Sequence, residues 1–81
     1  MPRKNKVVMV EWEDAWNDND KVYDEIELLV ARGMTMFSVG LLVKSDKHGV
    51  VICGEWNEET QTFRSAQFIP KGMIRKVVTL H

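Results

Sequence analysis

Residues 63–80, FRSAQFIPKGMIRKVVTL, constrain the fold of this chain more than any other stretch. They read as strand, single tight turn, strand. Phe63, Ser65, Gln67 and Ile69 alternate with Arg64, Ala66, Phe68 and Pro70, the period-2 pattern of a half-buried strand. Pro70 stops that strand, because it has no N–H to give a ladder. Lys71, Gly72 and Met73 then fit one turn of 3₁₀ helix, a geometry used in such short pieces. Ile74–Leu80 is rich in β-branched residues and reads as another strand. Small β-barrels turn the corner between their last two strands in this way.

Taken in order, the chain begins with a polar segment, and residues 1–5 are expected to be disordered. Lys6–Trp16 opens as a strand with Val8, Val10 and Trp12 on one face and Val7, Met9 and Glu11 on the other. Asn17–Asp20 is turn chemistry, since short side-chain oxygens bond nearby backbone N–H groups. One helix is expected, over residues 21–32, with Val22, Ile26, Leu29 and Val30 forming one apolar stripe. Asp24 and Glu27 have capping-box spacing, so its regular part can begin as late as Asp24. Gly33 reads as the residue after its end, where φ > 0 is wanted. A helix this short must pack on the sheet.

Thr35–Lys44 and Val50–Trp56 read as the next two strands, joined by Ser45–Gly49. Asn57–Gln61 joins the second of them to the strand that begins near Phe63. Gly40 inside a strand points to a bend or a close backbone approach, and Gly54 to a second bend. The expected fold is therefore mainly β. It is a small five-stranded barrel with one short helix inserted between strands 1 and 2.

Composition bounds what such a domain does. Eighty-one residues make one domain with a modest core. Hydrophobic content of 44% with 28% charged residues belongs to a globular chain, not a disordered one. A net charge of −1 argues against general nucleic-acid binding, which calls for a basic surface, but not against a local basic patch. Cys53 is the sole cysteine, so no internal disulfide forms, and a reducing compartment is expected. No stretch approaches the roughly 20 apolar residues of a membrane helix. The apolar run Val7–Val10 is too short for a signal peptide. A cytoplasmic location is the expectation.

Three resemblances go beyond this pattern. Ile69-Pro70-Lys71-Gly72-Met73-Ile74 resembles the end of SH3-type barrels, where an apolar residue and proline precede a 3₁₀ turn and a last strand. The aromatic start and acidic loop of peptide-binding SH3 domains are absent, so polyproline binding is not implied. Lys71-Gly72 before an apolar strand also resembles the second signature of Sm-like proteins, which implies an RNA-binding ring. Those proteins carry a helix before the first strand, whereas here the helix follows it. Finally, Val10-Glu11-Trp12-Glu13-Asp14-Ala15, Ser38-Val39-Gly40, Leu42-Val43 and Phe68–Ile74 resemble blocks in small uncharacterised proteins of tailed phages. That likeness implies a phage or prophage origin, in the cytoplasm of a bacterial host, and no particular activity.

The candidate chemistry is sparse. His48 stands in a hairpin tip, where a solvated loop residue is the simpler reading than a general base. Cys53 lies among apolar neighbours and reads as buried and inert. Glu11, Glu13, Asp14, Asp18 and Asp20 lack the central glycine and terminal glutamate of a calcium loop, and read as a solvated edge. Trp12 reads as core. Trp16 and Trp56 sit beside polar turns, where packing, subunit contact or stacking on a ligand all suit tryptophan. Arg64, Lys71, Arg75 and Lys76 make the last third of the chain basic. Arg64 and Lys71 at one barrel mouth, with backbone N–H groups of the 3₁₀ turn, would suit a phosphate. The competing reading is a charged edge that blocks strand pairing.

The candidate ligand-binding set is therefore Trp16, Trp56, Arg64, Lys71 and Arg75, with no catalytic residue, metal or cofactor expected. Several strands are apolar on both faces, more than one small barrel can bury, so a homo-oligomer is expected. The functional expectation is a non-enzymatic phage or prophage binding protein whose oligomer holds a nucleotide-type or other small anionic ligand. The alternatives are an Sm-like RNA-binding ring and a structural adaptor that binds a phage or host protein.

Overall fold

In the computed structural model, which describes residues 5–14 and 22–81, the chain is mainly β. Its strands are β1 (Val7–Asp14), β2 (Met34–Asp46), β3 (Gly49–Asn57), β4 (Thr62–Pro70) and β5 (Ile74–Leu80). A helix, α1 (Glu25–Leu29), lies between β1 and β2, and a 3₁₀ turn (Lys71–Met73) joins β4 to β5. The strand–turn–strand reading of residues 63–80 therefore holds residue for residue at its turn. Trp16, the Asn17–Asp20 turn, Lys21 and most of the N-terminal segment lie outside the described residues.

All five strands form one antiparallel sheet in the order β4-β3-β2-β1-β5. The expected closed barrel is not seen: β4 and β5 are the two outer strands, with no ladder between them. Two devices coil the sheet without closing it. Val43 on β2 and Arg75 on β5 are each an extra residue in their ladders, and such bulges bend and twist a strand. Gly40 lets β2 ride directly on β3, since a Cβ there would stand 2.7 Å from the Cys53 carbonyl oxygen. The bend expected at Gly54 falls on its cross-strand neighbour, Ser65, which takes φ 59° within β4.

The core lies inside this coil. Val8, Val10, Val50, Ile52 and Ile69 are buried, and Trp12, Leu42, Met73 and Ile74 pack against them. These are the alternate residues of their strands, as the period-2 reading requires. The 3₁₀ turn closes one end: the Lys71 N–H donates to the His48 carbonyl at 3.0 Å, and Met73 caps the cluster. Trp12 is anchored from inside, its indole N–H donating to Ser38 Oγ at 3.0 Å. At the other end of β1, Asn5 Nδ2 donates to the Leu42 carbonyl. The radius of gyration is 16.6 Å. A compact domain of this length would have about 12 Å, so much of the chain stands away from its core.

Helix α1 departs most from expectation. It is shorter than residues 21–32, and its start is as read: Asp24 is the N-cap and accepts from the Glu27 N–H at 2.8 Å. The sheet does not cover it, and none of its residues is buried. The cause lies at its exit. Gly33 does not take the left-handed conformation; it is a close-approach site, where a Cβ would stand 2.4 Å from the Asp14 carbonyl oxygen. The Gly33 N–H donates to Glu13 Oε1 at 3.0 Å, and β2 pairs with β1 from its first residue, Met34 opposite Asp14. Only residues 30–32 lie between the helix and that fixed point, so it leaves from the end of the β1–β2 pair.

Candidate functional site

Alternation along the strands gives the sheet two faces. One encloses the core. The other carries Val7, Met9 and Glu11 on β1, Phe37, Val39 and Leu41 on β2, and Lys76, Val78 and Leu80 on β5, aligned by the cross-strand register. Several of these are open to solvent: Phe37 is 60% exposed, Val39 59%, Leu80 42% and Val7 40%. Met9 and Val78 lie half-buried between them. The helix and its C-cap repeat the pattern, with Ile26 at 73%, Leu29 at 76% and Val30 at 70% exposure. Exposed single hydrophobes are ordinary, but contiguous apolar surface on this scale marks an interaction site.

The polar groups assemble elsewhere. A cleft of about 250 Å³ opens at the corner, lined by Glu13, Asp14, Gly33, Gly72, Met73 and Arg75. Glu13 is its hub. It accepts from the Arg75 guanidinium at 2.5 Å and from the Gly33 N–H at 3.0 Å. The Arg75 hydrogen bond, reinforced by the Gly33 N–H and the Arg75 charge, holds the Glu13 carboxyl below the usual carboxylate range. The arrangement ties β1, β2 and β5 together and commits the carboxylate to protein partners. Neither the 62-residue separation from Arg75 nor the 20-residue separation from Gly33 leaves a local signal in the sequence.

The candidate ligand residues do not converge. Arg64 is on β4 beside Glu55 of β3, with Nε 3.9 Å from the carboxylate. Lys71 lies seven residues further on, past the end of β4, so roughly 20 Å of strand separates them. One mouth does not hold both. Arg75 is on the far edge strand, paired with Glu13. Trp56 faces Phe63 across the β3–β4 hairpin, their ring centroids 4.8 Å apart, and its indole N–H donates to Glu58 at 2.8 Å. Trp16 lies outside the described residues.

The remaining groups are accounted for locally. Asp46 caps its hairpin turn by accepting from the His48 N–H at 2.9 Å, and that bond, with Lys44 3.2 Å away, lowers its pKa. Cys53 is 1% exposed. Among the described residues no three His, Cys, Asp or Glu side chains are grouped to hold a metal. No helix among them is long and apolar enough to cross a membrane.

No protein-family model matches the chain, and neither a curated protein nor a solved structure matches it.

Proposed function

We propose that this chain is a non-enzymatic, self-associating binding module, built on an SH3/Sm-like barrel that a single copy leaves open. The observation that carries the reading is the apolar surface. Among the described residues, twelve large hydrophobic side chains are between 40% and 92% exposed. At roughly 100 Å² for a fully buried aliphatic side chain, they present on the order of 700 Å² of apolar area. That approaches the ~800 Å² per partner of a stable interface.

The same geometry favours a protein partner over a nucleotide or an RNA. Two of the cations such a ligand needs, Arg64 and Arg75, already face Glu55 and Glu13. The phage-type blocks of the sequence suggest that the module serves a phage or prophage as an adaptor inside a bacterial host.

Light scattering on the purified protein across a concentration series tests the reading. The expected mass is a multiple of the 9.4 kDa chain. A species of 9.4 kDa at every concentration up to about 1 mM, the dissociation constant of a very weak complex, overturns it.

A further inference from the structure

We infer that two copies pair by exchanging helices, α1 of each docking on the exposed sheet face of the other. The inference rests on the self-association proposed above and gives it a geometry. Stable domains are layered, and a sheet face that is apolar needs a second layer upon it. Phe37, Val39, Val7 and Leu80 form such a face, and no other described residue covers it. Ile26 and Leu29 of α1, with its C-cap Val30, form the complementary layer, an apolar surface that the described sheet does not cover. A five-residue helix is far below the length that is stable alone in water, so it needs that cover.

Both halves of one helix-on-sheet contact therefore reside on the same chain. Their meeting within one copy is opposed by the pinned exit at Gly33. The Glu13 carboxylate holds its N–H, the Asp14 carbonyl lies against its α-carbon, and Met34 is already in the ladder. The helix is thus directed off the end of the β1–β2 pair instead of back across Phe37 and Val39. A second copy related by a twofold axis satisfies both halves at once, because such an interface repeats the same contact twice. By the same estimate these two surfaces present on the order of 400 Å² of apolar area per copy, close to the apolar share of the ~800 Å² that each partner of a standard interface buries.

Site-directed cross-linking tests this in a Cys53→Ser background. A tagged Ile26→Cys chain mixed with an untagged Val39→Cys chain is expected to form a tagged–untagged disulfide dimer on mild oxidation. In parallel, Ile26→Glu/Leu29→Glu and Phe37→Glu/Val39→Glu variants, checked for an intact sheet by circular dichroism, are expected to weaken dimerisation about 30-fold or more. Mixing the two glutamate variants restores one of the two contacts and part of the dimer. If the wild type is oligomeric, yet the mixed disulfide does not form and both glutamate variants stay fully associated, helix exchange is wrong while self-association stands. An intramolecular disulfide in a monomeric Ile26→Cys/Val39→Cys chain shows closure within one copy and overturns the inference. A wild type that is monomeric throughout overturns both readings and leaves the surface to a different protein.

Discussion

Arg75 reaches Glu13 because it is the bulged residue of the β1–β5 ladder. Lys76 pairs with Glu11 and Ile74 with Trp12, so Arg75 has no opposite number. In a regular ladder it would stand opposite Trp12 and point toward the core. The extra residue swings its guanidinium onto the other face, where it meets Glu13 at 2.5 Å. One carboxylate then fixes two things: the start of the last strand, and through the Gly33 N–H, the exit of the helix.

This clamp makes stability depend on pH in a defined direction. Arg75, and after it Gly33, lowers the Glu13 pKa from its ordinary value of 4.5. Its contribution is therefore full above that value and disappears as pH falls through the lowered one. Glu13→Gln should melt below the wild type at pH 7, and the gap should narrow progressively as pH falls below 4.5. Asp46, whose pKa is lowered chiefly by the His48 N–H, leaves some acid sensitivity in the variant. Both partners of the pair are partly solvated, with side chains 50% and 32% exposed, so molar salt should narrow the gap at pH 7. Thermal melts over a pH and salt grid measure all of this.

Gly40→Ala should be costly, and Gly72→Ala nearly silent. A methyl group at Gly40 would stand 2.7 Å from the Cys53 carbonyl and 3.2 Å from Ile52 Cβ, with backbone that cannot step aside. Forcing β2 off β3 should lower the unfolding free energy by about 1–3 kcal/mol, the usual cost of overpacking. At Gly72 a Cβ meets nothing within 4 Å, and its φ is not positive. There the loss of unfolded-chain entropy should leave stability unchanged or raise it by up to about 1 kcal/mol. Urea unfolding of both variants reads the contrast.

What the sequence made legible was local. Pro70 and the alternation around it placed the 3₁₀ turn at Lys71–Met73, because proline ends a ladder whatever lies beside it. Val8, Val10 and Trp12 were placed on one face by period-2 patterning, since alternate residues must share a face, whereas Val50–Trp56 is apolar on both faces and its core side was not readable. Asp24 announced itself by its spacing from Glu27. What stayed hidden depends on pairs distant along the chain. The stripe of Ile26 and Leu29 looked like a core-facing helix, but whether a sheet lies beneath it is decided by Glu13 and Gly33. The grouping of Arg64 with Lys71 assumed a closed mouth, whereas the free edges of β4 and β5 follow from the strand order.

Cys53 offers a probe of global opening. It is 1% exposed, and its thiol leans on the Glu55 carbonyl at 3.6 Å. Reaction with an aromatic disulfide reagent should therefore wait for β3 to separate from its neighbours. The labelling rate at neutral pH should rise with urea in parallel with unfolding followed by far-ultraviolet circular dichroism. Fast labelling in the absence of denaturant would show that β3 opens independently of the rest of the sheet.

The β3–β4 hairpin should divide into a core half and an arm. Ile69 and Val50 face each other near the corner and are buried, at 1% and 4% exposure. Trp56 and Phe63 face each other at the far end, their rings in contact. Ile69→Ala removes packing from the centre of the core, and such truncations cost about 2–5 kcal/mol. A domain of this length has only about 4–12 kcal/mol to lose, so this variant should be partly unfolded at 37 °C. Trp56→Ala removes an aromatic pair worth about 0.5–1.5 kcal/mol beyond its area, so it should cost far less. Amide exchange should follow the same division. Val50 and Ile52 should exchange with the global unfolding free energy, and Glu55 to Phe63 faster, through opening of the arm alone. Equal protection along the whole hairpin would show that the arm is covered in solution, as a contact with another copy at that end would require.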